Sequence, residues 1–274
     1  MVNSRRAPLL RATALVGALL LAGCAEDRLA DLGAGAHRGE TVAALMRAAG
    51  TKYAEGDYRA AATLYRSAYE SNPEESPEPL VGLGRSLAAV GAPQDAAEAY
   101  RAALKTDSEH PEALRGLGNA LVSMGQPALA VPYFERARAA TPGDWRIELG
   151  QGVAYDLMGR HAGAQSLYRA GLAQAPDQPD LTSNLALSLA LTGDVAGALD
   201  LLQPLLGASG TDARHRQTLA MVHGLAGDRD AARRIAAIDL TPRAVEQNLV
   251  FYETLRKLED PTERLKAIRA HMAQ

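Results

Sequence analysis

A single cysteine, Cys24, stands among the 274 residues, so its thiol has no partner within the chain for a disulfide and is free for other chemistry. Residues of other reactive types are scattered. Gly82-Leu83-Gly84 and Gly116-Leu117-Gly118 suggest phosphate-binding turns, but neither completes Gly-x-Gly-x-x-Gly and neither follows a strand. Their separation of 34 residues assigns them to a repeat instead. The six histidines (His37, His110, His161, His215, His223, His271) show no metal-ligand spacing. His215 and His223 share one predicted helix, and His223 falls at a packing position. There is no Gly-x-Ser-x-Gly elbow and no P-loop, and the acids lie on presumed outer faces, where charges are solvated. These patterns predict no metal, no cofactor and no catalysis; a hydrolase would need a convergent polar site.

Composition points to helices. Hydrophobic residues make up 47% of the chain but aromatic ones only 4%, so the interior must be built from Leu, Ala and Val at close range. Ala, Leu, Arg and Glu, which are strong helix formers, dominate outside the Pro and Gly punctuation. The formal net charge is -3, and the first 23 residues hold three arginines and no acid, leaving -6 for the rest. An acidic chain of this kind is a poor nucleic-acid ligand.

The setting of Cys24 gives the thiol its meaning. Arg5, Arg6 and Arg11 form a positive stretch, and Ala12 to Ala22 a short apolar one, ending at Leu21-Ala22-Gly23-Cys24. Spanning about 30 Å of hydrocarbon takes about 20 apolar residues, so a cleaved secretory signal is expected rather than a permanent span. Leu-Ala-Gly-Cys resembles the lipobox of bacterial lipoproteins, which implies diacylglyceryl transfer to Cys24 and cleavage before it. Two or three acyl chains make a stable anchor, whereas one is marginal. Ala25, where an Asp would favour the inner membrane in enterobacteria-like sorting, implies the outer membrane facing the periplasm. Residues 25 to 40, small, polar and glycine-containing, are expected to form a flexible tether.

Behind the tether the chain repeats. Gly56, Gly91, Gly125, Gly159, Gly193 and Gly227 are spaced by 35, 34, 34, 34 and 34 residues. Ala61, Ala96, Ala130, Ala164, Ala198 and Ala232 run in step with them, as do Tyr65, Tyr100, Phe134, Tyr168, Leu202 and Ala236. The pattern resembles the tetratricopeptide repeat (TPR), a 34-residue helix-turn-helix. It implies an all-α, right-handed TPR α-solenoid of about six helix-turn-helix repeats (42–75, 77–110, 111–144, 145–178, 179–212, 213–246). In this register glycine at position 15 turns the chain, and small residues at positions 8 and 20 let the two helices cross. The bulky residue at position 24 fills the gap between repeats, and Pro73, Pro142 and Pro176 stop second helices. Position 27 degenerates late, from Ala68, Ala103 and Ala137 to Gly171, Leu205 and Asp239.

A solenoid must cover its last apolar face. Thr241-Pro242, followed by Val245, Leu249, Tyr252, Leu255 and Leu258, predicts one closing helix, and Asp260-Pro261-Thr262-Glu263 starts another with capping-box spacing. The expected organisation is a signal peptide over 1–23, lipidated Cys24 and tether over 24–41, solenoid over 42–246 and C-terminal capping helices over 247–274.

TPR solenoids line their concave surface with first-helix positions 2, 5, 9 and 12. Those positions here include Arg85, Glu112, Arg115, Asn119, Arg146, Asp156, Ser183, Leu187, Arg214, Gln217 and Met221, a mixture suited to an extended or helical peptide. Arg115 and Asn119 partly match the clamp that grips C-terminal carboxylates, but Gly150 replaces the next Asn, which argues against that specificity.

With the lipobox and the closing segment, the chain resembles the lipoprotein of the Flp/Tad pilus assembly system, the TadD family. Ser183-Asn184-Leu185-Ala186-Leu187 with Gly193-Asp194, Ile235 to Leu240, and Glu246-Gln247-Asn248-Leu249 before Tyr252 carry the likeness. The resemblance implies a non-enzymatic scaffold that assists the outer-membrane secretin or its neighbours. Lipoproteins of type IV pili, outer-membrane protein insertion or exopolysaccharide export are alternatives of the same class, and a periplasmic hydrolase is one of another. Cys24→Ser is expected to abolish incorporation of labelled palmitate and to release or misplace the protein; equal labelling of the variant and the native chain would refute lipid anchoring at Cys24.

Overall fold

The computed structural model describes residues 39–73, 76–208 and 210–272, all in helices and the turns between them. Cys24, the signal over 1–23 and the tether up to residue 38 lie outside the described residues. Helix α1 covers 39–54, so residues 39–41, assigned above to the tether, are already helical. It pairs with α2 (Tyr58–Ser71), α3 (Glu78–Ala89) with α4 (Pro93–Thr106), and α5 (Pro111–Ser123) with α6 (Pro127–Ala140). α7 (Trp145–Leu157) then pairs with α8 (His161–Gln174), α9 (Pro179–Leu191) with α10 (Val195–Leu202), and α11 (Ala213–Ala226) with α12 (Arg229–Ala236). The chain continues into α13 (Pro242–Lys257) and α14 (Pro261–Met272).

Each hairpin turns on its position-15 glycine. All six have positive φ, from +74° to +102°, a conformation that side chains disfavour. The following amide bonds back to the carbonyl five residues earlier, as in Ala92 to Leu87 (3.0 Å) and Arg160 to Tyr155 (2.8 Å), which satisfies the first helix's end. Asp57, Asp194 and Asp228 then accept from the backbone N–H three residues on and start second helices. In repeats two and three Pro93 and Pro127 occupy the first turn instead.

Neighbouring repeats dock through an aromatic ring. Phe134 is fully buried between Gly118 of its own repeat and Gly150 of the next. A β-carbon on Gly118 would come within 2.8 Å of the ring, and one on Gly150 within 2.6 Å. Tyr100 sits likewise between Gly84 and Gly116, and Tyr65 lies against Gly82. First helices touch from repeat to repeat (α3 with α5, α5 with α7, α7 with α9, α9 with α11), whereas second helices meet one another marginally at most. First helices therefore form the inner, concave layer.

Two departures occur late in the chain. Pro204 cannot continue α10, which stops at Leu202 and passes into a 3-10 turn, Gln203–Gly207. α12 has eight residues against 14 in α2, so the degenerate position-27 residues Leu205 and Asp239 fall beyond their α-helices. Thr241 caps α13, which packs on α11 and α12 as a seventh first helix. Asp260 caps α14 by accepting from the amides of Thr262 and Glu263, but Glu263 pairs with Lys266 and does not complete the expected box. The reciprocal box is made by Asp212 and His215 at α11. α14 packs on α7 and α9, in the concave layer.

The ring-on-glycine contact predicts opposite outcomes for one chemical change. Gly150→Ala forces overpacking against Phe134, with a cost of about 1–3 kcal/mol that exceeds the gain of up to about 1 kcal/mol in helix propensity. Gly50→Ala, whose β-carbon would meet nothing nearer than the Tyr65 hydroxyl at 3.9 Å, should stabilise. Urea unfolding followed by circular dichroism separates the two signs.

Candidate protein-interaction groove

The concave layer from repeat one to the start of repeat six forms a trough open to solvent. A cavity of about 300 Å³ lies between Tyr53, Arg85, Tyr100, Glu112, Arg115 and Asn119. A second, of about 450 Å³, shares Arg115 and Asn119 and continues past Trp145, Arg146, Asn184 and Arg214. Because the two share walls, the trough is continuous across the first helices.

Two of its arginines, Arg85 and Arg146, lie on aromatic faces, and all four are held by partly exposed acids. The Arg85 guanidinium lies 4.4 Å from the centre of the Tyr53 ring, donates to the Tyr65 hydroxyl (3.4 Å) and pairs with Glu112 (3.5 Å). Burial works against its charge, but Glu112 and the tyrosine hydroxyls outweigh it and hold the guanidinium above its ordinary pKa. Arg115 pairs with Asp144 at 3.6 Å, and Arg146 takes the same carboxylate at 3.2 Å while stacking over Trp145. Arg214 reaches Asp212 at 2.9 Å and Asp180 at 4.0 Å. Contacts of this exposure and length are worth no more than about 1 kcal/mol each, so an incoming carboxylate or carbonyl can take the guanidinium over.

The structure thus brings Arg85, Glu112, Arg115, Asn119, Arg146 and Arg214 together on one accessible surface. It separates the other expected groove residues. Asp156, Ser183 and Met221 are buried, and Leu187 and Gln217 are half-buried. Met221 and Gln217 line a cavity together with Ile268 of α14, and Leu187 packs against the core. Tyr53 and Trp145 complete the trough but were absent from the sequence-derived set. Tyr53 stands at position 12 of the first repeat, a concave position in the register, so its signal was present; Trp145, at position 1, had none.

Asp156 faces inward because three donors converge on it. Ser188 Oγ and His161 Nδ1 donate to Oδ1 at 2.8 Å each, and the Tyr168 hydroxyl donates to Oδ2 at 3.0 Å. Burial raises the pKa of Asp156 despite these bonds, and burial beside Asp156 pushes that of Tyr168 well up. Ser, His and Asp are the residue types of a hydrolytic triad, but Ser188 donates to the carboxylate and not to His161. Both side chains are enclosed, and the group ties α7, α8 and α9 together. With Glu148 and Gln151, also buried, it forms a polar layer in repeat four between the two apolar core clusters.

Two profiles described as tetratricopeptide repeat match the chain, one over residues 46–111, 81–144 and 116–179, the other over 157–222. Together they span 46–222, more than half of the chain. No curated protein matches it. Among solved structures, the chain is similar to TTC0263, a thermophilic TPR protein of Thermus thermophilus, with 24% identity, 66% of this chain and 98% of that one covered, and a TM-score of 0.58. It is similar to PilW, a widely conserved type IV pilus biogenesis factor, with 20% identity, 76% and 96% covered and a TM-score of 0.66. Pseudomonas aeruginosa pilF gives 22% identity, 73% and 90% covered and a TM-score of 0.60. At these identities the likeness is one of fold.

Ser188 and Ser86 share position 10 and are both fully buried, which makes them a controlled pair. Ser86 bonds back to the Gly82 carbonyl of its own helix, so Ser86→Ala should change stability by less than about 1 kcal/mol. Ser188→Ala removes a donor from a buried carboxyl group and should cost about 1.5–3 kcal/mol, read by thermal or urea unfolding.

Proposed function

The chain belongs to the tetratricopeptide repeat family, and from that membership we propose that it is a non-enzymatic, lipid-anchored scaffold, facing the periplasm from the outer membrane, that assists assembly of a Flp/Tad pilus. TPR domains are generally non-catalytic interaction scaffolds. The observation that carries the reading is the open trough, where Arg85 and Arg146 stand on aromatic faces and all four arginines have exchangeable counter-charges. Such a surface takes a peptide segment of a partner through guanidinium contacts to carboxylates and carbonyls and through aromatic stacking. The Flp/Tad assignment and a secretin partner rest on the TadD-like segments of the C-terminal half and on the lipobox resemblance at Cys24. Anchoring confines the scaffold to the surface where a membrane partner already sits and so raises the effective concentration of each for the other.

A second reading, a lipoprotein of type IV pilus biogenesis, is favoured by the likeness to PilW over 76% of this chain. The two readings share a mechanism and differ in the captured protein. A photo-crosslinking residue at Asn119, which both trough cavities share, should trap that protein in living cells, and its identity distinguishes a Flp/Tad component from a type IV pilus component. Combining Arg115→Glu with Arg146→Glu should reduce the crosslink about tenfold or more and lower piliation, with folding unchanged by circular dichroism. Undiminished capture and piliation would show that the trough is not the binding surface.

A further inference from the structure

α14 occupies the concave layer yet is not part of the repeat ladder. It turns Leu265 and Ile268 inward, both buried, while Glu263, Lys266, Arg269 and Ala270 face solvent. Arg264 donates to the Leu191 carbonyl at the end of α9 (3.1 Å), and His271 bonds Asn248 and stacks on Phe251. An amphipathic helix is thus seated on the inner surface of the solenoid.

Its hold is thin beside that of α13. α13 buries Val245, Leu249, Tyr252 and Leu255 and is tied to α12 by ion pairs from Arg229 and Arg233 to Glu246 and from Arg229 to Glu253. Among the described residues, the ion pair of α14 is internal, Glu263 with Lys266. The interface is also underfilled. A cavity of about 320 Å³ remains between α11, α13 and α14, walled by Met221, Leu240, Phe251, Tyr252 and Ile268. On the same wall, Gln217 has its Oε1 buried without a hydrogen-bond partner. An apolar space with one unmet acceptor suits a side chain with an aromatic body and a donor at its edge, as Trp and Tyr have.

We propose that the concave face of repeats four to six is an acceptor for an amphipathic helix, that α14 is its displaceable occupant, and that the partner is a helix of another protein presenting an aliphatic pair three residues apart followed by Trp or Tyr. This surface meets the trough at Arg214, which lines both, but its test reads helix binding and not piliation, so the inference does not depend on the pilus reading. The partner's aliphatic pair takes the places of Leu265 and Ile268. Its aromatic residue enters the cavity that His271 only borders.

The test uses the full chain with Leu265→Asp and Ile268→Asp, which frees the acceptor, and fluorescein-labelled peptides of residues 259–272 followed by fluorescence anisotropy. The native-sequence peptide should bind the double variant at least about tenfold more tightly than the wild type, whose acceptor is occupied. The peptide carrying His271→Trp should bind several-fold more tightly again. Adding Thr218→Arg on the cavity wall should weaken both peptides. Equal binding to wild type and double variant, or indifference to Thr218→Arg, would overturn the proposal. Hydrogen exchange on the unmodified chain gives a reading independent of the variant's stability: α14 amides should exchange more than about tenfold faster than those of α13, and equal protection would overturn displaceability.

Discussion

The solenoid depends on a ring held between two glycines. Phe134 can be fully buried between α5 and α7 only because residues 118 and 150 carry no side chain, and Tyr100 is placed in the same way between Gly84 and Gly116. One aromatic residue thereby sets two distances: that between the helices of its own hairpin and that to the first helix of the next repeat. The second distance is short. It draws first helices into contact while second helices splay, and the concavity of the surface follows from that difference. The trough is a consequence of packing on its floor. Tyr100, part of the docking joint, is also a wall of the first cavity, so the surface proposed to meet a partner is the inner side of the stack itself.

The joint changes character along the chain. Up to repeat four each ring meets glycines. From there Tyr168 spends its hydroxyl on Asp156, and position 24 passes to Leu202 and Ala236. The polar layer of Glu148, Gln151, Asp156, His161 and Ser188 lies where one apolar cluster ends and the other begins. A buried carboxyl group that requires three donors from two neighbouring helices rewards one arrangement and penalises any slip in register, which a uniform apolar contact does not. The arginine trough runs along the first helices from Arg85 to Arg214, and α14 covers a neighbouring part of the concave surface on α7 and α9.

What could be read from the sequence follows the range of each interaction. Gly56 and its five successors announce themselves because a positive φ is a local demand, and Thr241-Pro242 because a cap lies within one turn of its helix. Gly82, Gly116 and Gly150 were legible as parts of a repeat but not as seats for Tyr65, Tyr100 and Phe134, since ring and seat lie on different repeats. Asp156 has the right register for the groove, yet its carboxyl group is claimed by Ser188, 32 residues later, and by Tyr168. Tyr53, at the same position in repeat one, stays on the trough wall. Leu265 and Ile268 declare that α14 has an apolar side but not which surface it meets. Periodicity specifies a face, and only tertiary packing specifies its counterpart.

The trough's electrostatics suit the exchangeable contacts proposed for it. Arg85, Arg115, Arg146 and Arg214 are each within reach of Glu112, Asp144, Asp180 or Asp212, so the empty surface is nearly neutral and attracts stray anions weakly. A partner supplying its own carboxylates exchanges one ion pair for another, and little net charge energy changes hands. The decisive contribution must then come from what the counter-acids cannot provide: stacking on Tyr53 and Trp145 and displacement of water from the floor between first helices. On the proposed reading, specificity of this surface rests on the shape and aromatic match of the bound segment, while the arginines set its orientation.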